Sequence, residues 1–283
     1  MTQAQQLPDA SSVTTVSLDR LAARDSGEME KLRKAAAFPG YFYLDLGGEG
    51  DVAEQTRRLY AVADRYFDQP AEVKKRDVRE GQPASSDRGF KSCVTDESFE
   101  MSTDEMRQGT LHLPTVISEQ ATAMNSFHER CHSATLVILE RLADALDVPL
   151  TQHHNSDGNA EQTSESGLKL IAEPAVARAS DVVENKHRDS GTLTMLFYDA
   201  WSLHVCLSAE GEEPQRWTFV PPPPGGCALV HGASTLSRMT GGRLSAPLHR
   251  VTQPADGAAK RFFLSYFLRP DHRVSSEGPV CVA

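Results

Sequence analysis

The spacing of apolar positions changes near the middle of this chain. Before that point, residues 119–146 place Phe127, Leu136, Leu139, Leu142 and Leu146 at helical intervals, predicting one long helix with a buried stripe. Beyond it, residues 191–198, 227–230, 246–252 and 261–268 form short runs rich in β-branched and aromatic side chains, which read as strands. The first half adds a short strand over 13–18 and a helix over 28–38 that ends near Pro39-Gly40. Residues 41–46 alternate like a strand and stop at Gly47-Gly48, where Gly47-Gly48-Glu49-Gly50 reads as a turn. Asp51 is placed to cap a helix running toward Phe67. Residues 1–12 are polar and read as loose, 81–89 as a glycine-bounded flexible stretch able to overhang a pocket, and 151–167 as a polar loop. The division this implies is a helix-rich region, 1–155, packed on a strand-rich core, 165–272, together one compact unit.

Candidate chemistry sits on those strand-like runs. His187-Arg188-Asp189 puts an imidazole and a carboxylate two positions apart, on one side of an extended chain. His249 follows in Leu248-His249-Arg250-Val251. Two imidazoles and one carboxylate are the smallest set that holds Fe(II) on one face and leaves the other open. Arg261 opens the most apolar run, Arg261-Phe262-Phe263-Leu264, and a cation entering such a strand must meet an anion or reach solvent.

From about 168 to 271 the chain resembles the iron(II)/2-oxoglutarate-dependent dioxygenases, in the branch named after isopenicillin N synthase. The resemblance rests on His187-Arg188-Asp189-Ser190-Gly191-Thr192, on Trp217 with the run Pro221-Pro222-Pro223-Pro224-Gly225, and on Leu248-His249-Arg250-Val251. Tyr266-Phe267-Leu268-Arg269-Pro270-Asp271 completes it, with fainter echoes in Gly40-Tyr41-Phe42 and Arg88-Gly89-Phe90. It implies an α+β fold: a double-stranded β-helix, or jelly roll, with N-terminal and flanking helices. It also implies that His187, Asp189 and His249 ligate iron, that Arg261 pairs with the distal carboxylate of 2-oxoglutarate, and that dioxygen is the third participant.

Three positions depart from the family pattern. Arg-x-Ser becomes Arg261-Phe262-Phe263; the usual Asn-Tyr-Tyr-Pro-Pro becomes Ile171-Ala172-Glu173-Pro174-Ala175; and an Asp before the helical turn becomes Ser234. Losing one hydrogen bond to a charged group costs roughly 1.5–3 kcal/mol, about one to two decades of affinity. Ser265 lies on the same strand face one repeat further on. The departures leave two alternatives to an oxygenase: a non-catalytic or partner-binding protein that keeps the metal site, or an oxidase whose Arg261 grips substrate instead of a keto acid.

Charge and composition narrow the partners. A net charge of −10 with no basic stretch argues against nucleic acid, and no apolar run is long enough to span a membrane. The five cysteines, odd in number and widely spaced, suit reduced thiols and a cytoplasmic setting. The N-terminus shows no signal-peptide pattern. His128-Glu129-Arg130-Cys131-His132 spells H-E-x-x-H, but no third ligand follows in sequence, so it reads as a surface helix and not as zinc chemistry. The proline run reads as a rigid turn before the strand at 227–230. The expected substrate is a small organic molecule of specialised metabolism, oxidised at an unactivated C–H bond by hydroxylation, desaturation or rearrangement. Candidate substrate contacts are Arg88, Phe90, Tyr198, Glu173 and Phe263. The oligomeric state stays open.

Overall fold

The computed structural model describes residues 12–47, 52–82, 86–93, 96–154, 164–173, 186–208, 212–252 and 260–271. Asp51, the turn at 48–50, most of the polar loop (155–163), the segment from 174 and Cys281 lie outside the described residues. The N-terminal half carries β1 (Thr15–Ser17), α1 (Leu18–Ala22), α2 (Ser26–Ala37), β2 (Tyr41–Asp45) and α3 (Val52–Phe67). It continues through α4 (Ala71–Lys74), β3 (Gly89–Ser92), β4 (Glu97–Ser102), α5 (Thr103–Arg107), α6 (Thr115–Ser118) and α7 (Ala121–Leu146). The second half contains β5 (Gly167–Glu173), β6 (Leu193–Phe197), β7 (Leu203–Cys206), β8 (Trp217–Phe219) and β9 (Cys227–Gly232). It closes with α8 (Ser234–Met239), β10 (His249–Val251) and β11 (Arg261–Leu268).

These strands build two sheets. The larger has eight strands in the order β1-β2-β9-β6-β11-β5-β4-β3, and the smaller has three, β10-β7-β8. The expected α+β jelly roll is the fold found. Four strands of the helix-rich half are built into the large sheet, two at each edge.

The period of two along each strand sorts side chains onto two faces. Leu168, Leu170 and Ala172 of β5 join Met195, Phe197, Val230, Leu264 and Tyr266 in a core shared with α2, α3 and α7. The alternate residues of β2, β6, β9 and β11, including Tyr41, Leu196, Leu229 and Phe263, point instead toward the small sheet. Both faces of the large sheet are therefore covered, and its strands read as nearly continuous apolar runs.

Helix α7 runs along the helix-side face. Its Phe127, Leu139 and Leu142 are buried, as the stripe predicted, while Leu136 and Leu146 are only partly buried against the same core. His128 and His132 correct the surface-helix expectation, because both are buried. His128 Nε2 lies 2.9 Å from Thr103 Oγ1, and His132 Nδ1 lies 2.5 Å from the Tyr266 hydroxyl. One turn apart, they share the helix face turned to β11, where each ring has one nitrogen engaged while the other, His128 Nδ1 or His132 Nε2, is buried without a hydrogen-bond partner. Glu129 is engaged by Arg107, with Nη2 to Oε1 at 2.5 Å.

The proline run joins β8 to β9, and its Pro221 carbonyl accepts from Tyr43 at 2.7 Å and Tyr198 at 2.9 Å. Gly232, at the end of β9, allows a close crossing: a Cβ there would stand 2.3 Å from the Ser245 carbonyl oxygen.

Candidate metal centre and its cavity

A cavity of about 410 Å³ lies between the large sheet and the small one. His249 opens β10 on the small sheet, opposite Val205 of β7. His187 and Asp189 do not lie inside a strand as expected. They sit just before β6, where His187 forms an isolated antiparallel bridge to His249. Each backbone N–H of that pair donates to the other's carbonyl at 2.9 Å. The bridge sets the two rings 4.5 Å apart, centroid to centroid. The turn that follows is pinned by α8, whose Ser234 N–H donates to the Asp189 carbonyl at 2.8 Å.

The three side chains converge. One donor atom from each of His187, Asp189 and His249 lies within 4.8 Å of the other two. Asp189 Oδ1 is 3.3 Å from His187 Nε2 and 3.7 Å from His249 Nε2. Adjacent corners of an octahedron with bonds of about 2.1 Å stand about 3 Å apart, so the 3.3 Å gap is close to that spacing and the 3.7 Å gap is wider than it.

The surroundings set orientation and charge. His249 Nδ1 lies 3.2 Å from the Pro247 carbonyl, an arrangement that puts the proton on Nδ1 and leaves the Nε2 lone pair for the site. Burial holds His249 down at about 3, over the opposing pull of Asp189, so the ring is neutral near pH 7. Burial pushes Asp189 upward, but His187, His231, His249 and the Thr194 hydroxyl outweigh it and hold the carboxyl well below its usual range. Thr194 donates to Asp189 Oδ2. His231 Nε2 stands 3.6 Å from that same oxygen, with its Nδ1 3.0 Å from the Gly232 carbonyl. Thr194 and His231 are direct cross-strand partners on β6 and β9, so register alone delivers both to the carboxylate.

The 2OG-Fe(II) oxygenase superfamily profile matches residues 170–270. The 2-oxoglutarate-dependent dioxygenase frbH of Dothideomycetidae sp. (strain 11243) is 30% identical over 281 residues, covering 96% of this chain and 86% of the relative. The chain belongs to the 2OG-Fe(II) oxygenase superfamily. The 2-oxoglutarate-dependent dioxygenase gloE of Glarea lozoyensis is 29% identical, with 93% of this chain and 81% of the relative covered. A full-length Neurospora crassa protein, solved in complex with alpha-KG and 5-formyluracil, superposes with a TM-score of 0.74 at 17% identity. That match covers 96% of this chain and 89% of the Neurospora chain, a likeness of fold. This oxygenase is a 2-oxoglutarate-dependent dioxygenase, an enzyme whose cofactors are Fe(II), 2-oxoglutarate and dioxygen.

The oxygenase's donor set fits that metal. A neutral imidazole at His249 and an ionised carboxylate at Asp189 present lone pairs without first losing protons. The His187 side chain remains 53% exposed, so one side of the cluster faces open space.

Of the other sequence candidates, Arg261 opens β11 as expected and is buried. Its Nη1 donates to the carbonyls of Trp201 at 3.1 Å and Thr252 at 3.2 Å. Its anion is Glu173, to which Nη2 donates. Glu173 and Phe263 border the cavity, as does Ser265. Arg88, Phe90 and Tyr198 are not brought to it. Arg88 is taken up by Glu105 at 3.3 Å, Glu165 at 3.0 Å and the Ser164 carbonyl. Phe90 is on β3 at the edge of the sheet, packed edge-on against Tyr66. Tyr198 directs its hydroxyl to the proline run.

Sequence reasoning missed His231, Thr194 and Lys169. Lys169 borders the cavity and meets Asp87 Oδ2 at 2.8 Å. Burial raises Asp87, but Lys169 and Lys91 outweigh it and bring the carboxyl to about 2. A signal existed in the first case, a lone imidazole inside the apolar run Leu229-Val230-His231.

Proposed function

We propose that His187, Asp189 and His249 are the iron ligands and that Arg261 receives the distal carboxylate of 2-oxoglutarate. The substrate in this reading is a small organic molecule of specialised metabolism, oxidised at an unactivated C–H bond. The observation that carries the reading is the convergence at the cavity of three donors, two from the segment before β6 and one from β10, all within 4.8 Å of one another. Bound iron, with the keto acid and dioxygen, supplies an oxidant that removes a hydrogen atom from carbon, while 2-oxoglutarate leaves as succinate and carbon dioxide.

The protein's share is placement and exclusion of water. Thr194 and the His187–His249 bridge fix the ligands. Ile171, Leu196, Leu203, Val251 and Phe263 give the cavity an apolar wall that shields a reactive site and receives a hydrocarbon body. Lys169 and Asp87 supply the polar contact by which such a substrate is oriented. A cavity of about 410 Å³ is in the range of small-molecule sites.

Anaerobic titration with Fe(II), without and then with 2-oxoglutarate, tests this reading. Iron uptake followed by a weak visible charge-transfer band is the expected result. Absence of iron uptake would sink the assignment and favour a non-catalytic scaffold; uptake with no response to the keto acid would favour Arg261 as a substrate anchor.

A further inference from the structure

Glu173 ends β5 directly opposite Arg261, the first residue of β11, and the antiparallel register puts both on the cavity face of the large sheet. Both side chains are 6% exposed, so this ion pair is desolvated. Two backbone carbonyls hold the Nη1 side of the guanidinium, leaving the Nη2 side for a carboxylate. Glu173 borders the cavity and Arg261 does not, so a molecule inside meets the carboxylate before the cation. The next residue on that face, Phe263, offers only a ring, 5.8 Å from the guanidinium. That position therefore supplies no hydroxyl to hold a second anion.

We propose that Glu173 is an internal competitor for Arg261. The distal carboxylate of 2-oxoglutarate binds by displacing the Glu173 carboxylate, because two anions at one buried guanidinium edge repel. Glu173 thereby sets how tightly the cosubstrate is held and how strongly a distal carboxylate is preferred in a keto acid. The proposal rests on the assignment of Arg261 made above.

Calorimetric titration of keto acids into the Mn(II)-loaded protein tests it without turnover. Glu173→Gln keeps the shape and removes the charge, and Glu173→Ala removes the group. Each should bind 2-oxoglutarate about ten- to a hundredfold tighter than the native chain, with Mn(II) affinity unchanged. 2-Oxopentanoate, which has no distal carboxylate, should bind all three proteins equally. The native chain should favour 2-oxoglutarate over 2-oxopentanoate by less than about tenfold, the variants by more. Variants that bind 2-oxoglutarate no tighter than the native chain overturn the proposal, as does a native chain with a preference of about a hundredfold or more. If Arg261→Ala leaves 2-oxoglutarate affinity unchanged, the assignment of Arg261 itself falls, and the competitor with it.

Discussion

A carboxylate buried beside imidazoles keeps its charge only if each of its oxygens finds a positive or donating neighbour, and Asp189 finds them on both. Oδ1 faces His187 and His249, while Oδ2 receives Thr194 and stands near His231. Asp189→Ala should lower iron affinity more than about a hundredfold while leaving the circular dichroism spectrum intact, since only a ligand is lost. Metal content equal to the native chain's would show that the ligand is misassigned. Thr194→Val and His231→Ala act only through the orientation of Asp189. Each should cost roughly 10–100-fold in iron affinity by equilibrium dialysis; no change would mean the carboxylate is positioned by the backbone alone. At this scale the convergence of His187, Asp189 and His249 was legible because they are rare residue types at telling intervals. His231, Thr194 and Lys169 were not, because their places depend on which strand lies beside which. Glu173 was legible as a departure from the family pattern, but its partner was visible only once β5 and β11 were in register.

The pairing of α7 with β11 has an acid limit built into it. Burial lowers His128 to about 3, with His132 and Arg107 adding to the effect, and burial likewise lowers His132 to about 4. A histidine depressed in the fold takes up its proton on unfolding, where it titrates near 6.5, so its penalty is absent above that pH and grows as pH falls. At pH 5 each imidazole should favour unfolding by about 2 kcal/mol. Urea denaturation at pH 7 and pH 5 should show this loss, and His128→Gln with His132→Gln should reduce it. A pH slope identical in the double variant would place the acid sensitivity elsewhere. The helical period foretold α7 well, since Phe127, Leu139 and Leu142 all pack inward. It misplaced His128 and His132, because hydropathy ranks an imidazole as a surface group whatever hydroxyls wait across the interface. The strand at 246–252 shortens to His249–Val251, as Pro247 has no N–H to give a ladder. Likewise, the segment His187–Asp189, proposed to hold the metal, lies outside β6, in a bridge that β propensity does not encode.

Across the whole molecule, β1 to β4 flank strands of the second half in one continuous ladder, and helices α2, α3 and α7 cover its far face. We propose that the regions 1–155 and 165–272 unfold as one unit. Helical ellipticity reports mainly the first half, and fluorescence of Trp201 and Trp217 reports the small-sheet side of the second. Their thermal transitions should coincide, and two midpoints several degrees apart would divide the chain into separate units. Among the described residues no helix is long and apolar enough to cross a membrane. The sheet architecture followed from the resemblance more than from hydropathy, since period-two patterns give faces but not strand order. The cavity could not be read beforehand, because it is a gap between two sheets. The account stands on metal binding between them, and anomalous diffraction from crystals soaked in Mn(II) or Fe(II) tests that most directly. A single strong peak within about 2.2 Å of His187 Nε2, His249 Nε2 and an Asp189 oxygen is the predicted result. A metal peak elsewhere, with these three groups bare, would contradict it.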